Sequence, residues 1–335
     1  MTLLKTWTNR AVALALLCVV AGCGATEPLA SPTAIAPGTR VMLDAHNAYP
    51  YNGRFVDRID RALASGLPVA IEQDLVWLPA TDVLPARSVV SHGAPFDGTE
   101  PSLKDYFFER IRPIVERALA DENTAEWPLI TLNLDLKTNE PEHHQALWAL
   151  LGEYEAWLTT AERTADDTTP APLDVKPVLV LTGNSDAQAQ SFHDQVPVGA
   201  RLRLFGAVSV SRPADNGGAS WLPDLPAASN YRRWWNAPWS VVEVEGQRAA
   251  DDWTPADAAR LQTLVDRAHA AGLWVRMWTL NGSDEETRVT NGWSAGYNFG
   301  SADAARLRWQ AAIDTGVDFV ATDQYELFAP LLPRS

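Results

Sequence analysis

Ile71-Glu72-Gln73-Asp74-Leu75 closes a short apolar run that begins at Pro68, and Leu132-Asn133-Leu134-Asp135-Leu136-Lys137 closes another that begins at Leu129. Val, Ile and Leu content of this density marks strands covered on both faces, yet both runs alternate with polar residues toward their C-terminal ends. Residues i and i+2 of a strand share a face, so Glu72 projects with Asp74 and Asp135 with Lys137. Outward from these two, similar runs occupy 40–45, 177–182, 202–209, 240–245, 273–280 and 317–322. Helical spacing lies between most of them, at 55–65, 103–120, 142–160, 255–271 and 301–315. Thr254 before Pro255 and Gly272 at the far end supply start and stop signals; Ser301 and Gly316 do the same for the last helix. Eight strand–helix alternations in this length match a closed (β/α)8 barrel, an α/β fold in one domain spanning 39–333. No GxGxxG follows any of the strands, which disfavours a doubly wound open sheet.

The chain has 335 residues, 46% hydrophobic and 21% charged, enough for a real core and inconsistent with a disordered or coiled-coil chain. Its net charge of −15 excludes nucleic acid as a partner, because phosphate backbones require a basic face. The two cysteines, Cys18 and Cys23, both precede the fold, so it contains no disulfide framework. Lys5 and Arg10 stand before the apolar run Ala11–Val20, which ends in Ala21-Gly22-Cys23. That pattern is a secretory signal over 1–22, too short for a permanent membrane span. Cys23 directly after Ala-Gly resembles the bacterial lipobox, which implies cleavage before it and lipidation of its thiol. The Ala-, Pro-, Ser- and Thr-rich stretch that follows reads as a flexible tether, giving 23–38 as the link to an extracytoplasmic, membrane-anchored lipoprotein.

Polar residues cluster at the ends of the first three strands. His46 follows the first, Glu72 and Asp74 end the second, and Asp135 and Lys137 end the third. Three carboxylates meeting in a partly dry cleft repel one another unless a cation neutralises them, and oxygen ligands suit one hard divalent ion, Mg²⁺ or Ca²⁺. His92, in Val89-Val90-Ser91-His92-Gly93, supplies a second imidazole to the same mouth, and two imidazoles suit a general acid and a general base. His143 and His144 begin a helix, His269 sits in another, and His193 lies in a polar stretch, so these are weaker candidates. Long segments after the fifth and seventh strands, 210–237 and 281–300, carry Trp221, Tyr231, Trp234, Trp235, Trp293, Tyr297 and Phe299. In a barrel such loops surround the active site. Glu243 and Glu245 alternate in the expected sixth strand, so both face one side: either they bind a polar headgroup or cationic moiety of a substrate, or a basic residue within the barrel partners them.

The ordered set His46, Glu72-x-Asp74, His92, Leu134-Asp135-Leu136-Lys137, Val275-Arg276-Met277-Trp278 and Val317-Asp318-Phe319-Val320-Ala321-Thr322-Asp323 resembles the glycerophosphodiester phosphodiesterase family. That family belongs to the phospholipase-C-like phosphodiesterase superfamily of barrels, and the resemblance runs from about residue 40 to 325. It implies acid/base roles for His46 and His92 and metal ligation by Glu72, Asp74 and Asp135. It also implies phosphate contact by Lys137 and a pocket wall at Trp278. Asn47 stands at the substrate position where the family usually has arginine, Gly93 where Asp follows the second histidine, and Asp135 where Glu is common. His46-Asn47-Ala48-Tyr49 resembles instead a branch related to phosphatidylinositol phospholipase C, and Asp135-x-Lys137 resembles sphingomyelinase-D-type enzymes.

The expected reaction is cation-dependent hydrolysis of a phosphodiester, from a glycerophosphodiester or a phospholipid headgroup, with His46 assigned as base and His92 as acid, two roles that the sequence does not distinguish. Two other classes are a barrel lipoprotein that binds without turnover, and a glycosidase using carboxylate pairs. Lys137 and two histidines argue against the last, since sugar hydrolysis requires neither. Asp323 is expected to cap the last strand–helix turn.

Overall fold

The computed structural model describes residues 35–50, 54–121, 123–211, 222–243 and 252–333. The expected signal segment, Cys23, the expected tether as far as residue 34, Trp221 and Glu245 lie outside the described residues. Eight parallel strands form the barrel: β1 Met42–Ala45, β2 Val69–Leu78, β3 Ile130–Leu136, β4 Val178–Thr182, β5 Phe205–Ala207, β6 Arg232–Pro238, β7 Trp274–Trp278 and β8 Phe319–Thr322. Each pairs with the next, and β1 closes the ring by pairing with β2 at Asp44↔Ala70 and with β8 at Met42↔Phe319 through Ala45↔Thr322. A strand at Arg87–Val90 runs antiparallel to the end of β2 and extends the sheet above the mouth. The protein is a single-domain (β/α)8 barrel, as its strand pattern predicts.

Alternation along the strands sorts side chains into layers. At the N-terminal end Met42, Ala70, Leu179, Phe205, Trp234, Trp274 and Phe319 form a buried apolar plug inside the ring. Burying an aliphatic or Phe side chain of this kind stabilises the fold by ~1.5–3 kcal/mol. Two residues further along the same strands the lining turns polar, with Asp44, Glu72, Asn133, Asn236 and Arg276. The residues between these face outward and pack under the helices, as Leu43, Ile71, Leu132, Val180, Val275 and Val320 do. That outer core is why the strands read as nearly continuous apolar runs.

Helix Pro255–Ala270 begins with a capping box in which Thr254 and Asp257 each bond the other's backbone N–H, and helix Ala302–Thr315 begins with the Ser301 side chain accepting from Ala304 N. Gly316 takes the left-handed φ of 78° that ends the second helix. The helix expected over 142–160 stops at Glu153, and a one-turn helix at Glu155–Trp157 leads into the strand Thr160–Glu162. Ile35, the first described residue of the expected tether, is buried against the plug and accepts from Trp274 Nε1 at 2.6 Å. Gly38 N donates to Asp318, so this end of the link is docked on the barrel floor. No helix among the described residues is long and apolar enough to cross a membrane.

The sixth strand differs from its expected place at 240–245. It spans Arg232–Pro238, inside a segment read from sequence as loop, and Trp239–Val241 is a single helical turn beyond it. The strand Arg-Arg-Trp-Trp-Asn-Ala-Pro has no aliphatic run because its outward face carries Trp235 and Ala237 where the other strands carry Val, Ile or Leu. Val241 and Val242, which suggested a strand, instead pack into the outer core. Glu243 therefore lines no substrate cavity. It is buried outside the ring, where Arg308 donates to Oε1 at 2.6 Å and Oε2 at 3.0 Å, and Trp239 Nε1 donates to Oε2 at 2.6 Å. Its partner is a basic residue, as one expectation held, but from a helix outside the barrel.

Candidate active site

The C-terminal ends of the strands enclose a cavity of about 440 Å³. His46, Asn47, Glu72, Asp74, His92, Asp135, Lys137, Asn236, Arg276, Trp278 and Tyr297 all line it. His46, Asn47, Glu72, Asp74, His92, Asp135, Lys137 and Trp278 are thus brought to one place as expected, while Glu243, His143, His144, His193 and His269 lie elsewhere. The reason is the shared alternation of β1, β2 and β3, whose register sets Glu72 opposite Asn133 and Asp74 opposite Asp135.

His46, just past β1, is held by a carboxylate from the other side of the closure. Its Nδ1 lies 3.0 Å from Asp323 Oδ2, and its Nε2 faces the cavity 3.5 Å from Glu72 Oε2. Asp323 in turn accepts from Asn47 Nδ2 at 2.9 Å and Asn281 Nδ2 at 2.5 Å, and Arg58 lies 3.6 Å away. Asp323 therefore does not cap the last strand–helix turn, whose helix Tyr325–Phe328 has no side-chain cap; it orients the imidazole instead. Burial alone would pull the His46 pKa down, but the charges of Glu72 and Asp323 and the Asp323 hydrogen bond raise it to about 9. His92 is exposed on the opposite rim and stacks on Tyr49, with ring centroids 6.2 Å apart. Partial burial and then the charge of Lys137 hold His92 below the usual histidine range. The side-chain charges alone thus favour the protonated form of His46 and the neutral form of His92, and a divalent ion at the neighbouring carboxylates would oppose the first of these.

Asn47 adopts a left-handed φ of 55°, a conformation that asparagine tolerates better than most residues. This bend turns its backbone N–H onto Glu72 Oε2 at 2.8 Å and its carbonyl onto Arg58 at 2.6 Å. Asn47 lines the cavity, but its side chain is engaged with Asp323 and Tyr49, whose hydroxyl donates to its Oδ1.

Arg276 is the residue with the largest unforeseen role. Buried at the centre of the ring, it donates to Asp44, to Glu72 Oε1 at 3.1 Å and to Asn236 Oδ1 at 3.2 Å. Burial pushes the Glu72 carboxyl up, but His46, Arg276 and the Asn47 amide outweigh this and hold it below the ordinary range. Asp44 is shifted upward by burial, with Arg276 opposing. Asp74 is pushed well above its ordinary value by burial and then by the Glu72 charge, against which Lys137 acts. The signal for Arg276 and Asp44 was present in sequence, since each lies two residues before a mouth residue (Trp278 and His46) on its strand and so faces inward.

Glu72, Asp74 and Asp135 each offer an oxygen such that all three lie within 4.8 Å of one another. Asp74 Oδ2 is buried without a hydrogen bond, although Lys137 Nζ is 3.0 Å away as an ion-pair contact. A set of three converging carboxylates, all oxygen donors, fits a hard divalent cation. Lys137 Nζ also contacts Asp135 Oδ2 at 2.6 Å. Trp278 meets Tyr297 edge to face at 5.8 Å, and Tyr297 sits 6.4 Å from His46, so the two aromatics wall the cavity beside His46. Tyr297 comes from the aromatic segment 281–300, whereas Trp234 and Trp235, expected in a rim loop, lie on β6.

No family model matches the chain, and no curated protein matches it. Among solved structures it is similar to a calcium-dependent phosphoinositol-specific phospholipase C from a Gram-negative bacterium, Pseudomonas sp, at 14% identity. That similarity covers 89% of this chain and 93% of the other, with a TM-score of 0.43.

Proposed function

We propose that the protein is a divalent-cation-dependent phosphodiester hydrolase. The observation that carries this reading is the convergence of two histidines, one lysine and three carboxylates on one cavity at the barrel mouth. A cation held by Glu72, Asp74 and Asp135 would polarise a non-bridging phosphoryl oxygen and stabilise the charge that develops there. Lys137 adds a point charge to the same oxygens. His46 and His92 divide the proton transfers: one takes the proton of the attacking water or neighbouring substrate hydroxyl, and the other protonates the departing alkoxide. Asp323 keeps the His46 ring turned so that Nε2 faces the substrate. Trp278 and Tyr297 bound the space for the alcohol portion.

The substrate is a glycerophosphodiester or a phospholipid headgroup, met at a membrane to which lipidated Cys23 tethers the barrel on the extracytoplasmic side. Alcohol release from glycerophosphocholine, glycerophosphoinositol, lysophospholipids and sphingomyelin, with and without Mg²⁺ or Ca²⁺, tests the reaction. His46→Ala and Glu72→Ala are expected to abolish turnover of whichever diester is cleaved. Cleavage that persists in both variants, or no cleavage of any diester, overturns the proposal and leaves a barrel that binds without turnover.

A further inference from the structure

Lys137, to which the proposed reaction gives the phosphoryl oxygens, rests instead on two carboxylates. Its ammonium lies 2.6 Å from Asp135 Oδ2 and 3.0 Å from Asp74 Oδ2, so it touches two of the three carboxylates that form the candidate cation site. Its backbone is anchored, since Lys137 N donates to Leu75 O at 2.9 Å. Only the flexible four-carbon stem must move to relocate the charge, and the side chain is 25% exposed toward the cavity. A divalent ion bonds carboxylate oxygens at about 2.0–2.6 Å. On the same two oxygens it would stand within a few ångströms of the ammonium, and like charges at that range repel strongly in a partly buried site.

We propose that Lys137 is a tethered counter-ion that bridges Asp74 and Asp135, competes with the divalent cation for them, and swings into the cavity when the cation binds. This inference rests on the cation reading of the three carboxylates and adds a regulatory role for the lysine. It links two events: cation binding frees the ammonium, and the freed ammonium faces the space where a phosphoryl group would sit. The competition lowers cation affinity, so the loaded site forms only where the cation is abundant. It also keeps the carboxylates neutralised, and the barrel mouth intact, before any cation arrives.

Isothermal calorimetry of Ca²⁺ and Mg²⁺ binding to the full chain, without substrate, tests this. Lys137→Met is expected to bind the cation about tenfold more tightly or better, because the competing charge is gone. Lys137→Arg, which keeps the charge, is expected to stay near the wild-type affinity. If Lys137→Met folds poorly, Lys137→Gln serves in its place, and the same competition appears as a larger cation-induced rise in melting temperature than in the wild type. Equal or weaker affinity in the neutral variants, or equal gains in the Arg and Met variants, overturns the inference. So does the absence of cation binding in every form. Tighter binding in Lys137→Met by a protein that cleaves no diester upholds the inference and refutes only the reaction.

Discussion

Replacing His143 separates a structural histidine from the proposed catalytic pair and gives a signature in acid stability. His143 is fully buried, with Nε2 2.9 Å from Ser88 Oγ and Nδ1 3.0 Å from Thr138 Oγ1, and its ring stacks on Trp77 at 5.8 Å. It therefore ties the strand Arg87–Val90 to the segment just after Lys137. Burial pushes its pKa down from 6.5 to about 4. The unfolded chain takes up the proton near 6.5, whereas the folded one resists until about 4, so the unfolded state binds more protons throughout that window. Stability is thus fully present above pH 6.5 and falls as the pH drops, by about 3 kcal/mol in all and about 2 kcal/mol by pH 5. His143→Gln keeps a hydrogen-bonding side chain and removes the titration. Urea unfolding of both proteins at pH 7.5 and pH 5.0 measures the difference. The variant is expected to lose about 2 kcal/mol less than the wild type between those two values. Equal losses would show that His143 is protonated in the folded state, and the account of its buried neutral ring would be wrong.

Asp323→Asn removes the carboxylate behind His46, and turnover of the cleaved diester is expected to fall by about 10²–10⁴-fold, the usual worth of one positioned proton-transfer group. A steady-state comparison against wild type checks this, and an unchanged rate would mean that His46 needs no orienting partner. Glu243→Gln is expected to lower the unfolding free energy while leaving KM unchanged, because Glu243 bonds Arg308 and Trp239 outside the barrel. A raised KM without loss of stability would restore Glu243 to the substrate site. Arg276→Met is expected to destabilise the fold by about 3–5 kcal/mol, as breaking a buried ion pair leaves Asp44 and Glu72 without their shared guanidinium. Urea unfolding at pH 7.5 reads that loss, and a change below 1 kcal/mol would indicate that the two carboxyls are neutral in the fold.

Legibility in the sequence followed the locality of the signal. β2 and β3 were readable because their outward faces are aliphatic and their inward faces turn acidic near the mouth, so one short window carries both facts. β6 is not readable, because Trp235 and Ala237 replace the aliphatic outward pattern and the valines that follow lie beyond the strand. Helix ends at Thr254 and Ser301 were readable for the same local reason: a capping side chain bonds a backbone group three residues away. Asp323 was misjudged because its partner His46 is 277 residues distant, and nothing near Asp323 announces a buried imidazole.

The sequence by itself determined that strands end in paired polar side chains sharing a face, since the two-residue period of an extended chain is a local steric property. From this follow the barrel, its mouth and the residue types present there. Which of those groups neutralises which was decided by tertiary structure alone. Ring closure between β1 and β8 delivers Asp323 to His46, and the inward face of β7 delivers Arg276 to Asp44 and Glu72. Lys137 reaches across from β3 to Asp74 on β2. Such pairings depend on distances between strands far apart in the chain, and Coulomb energy in a buried site depends on those distances rather than on order along the sequence.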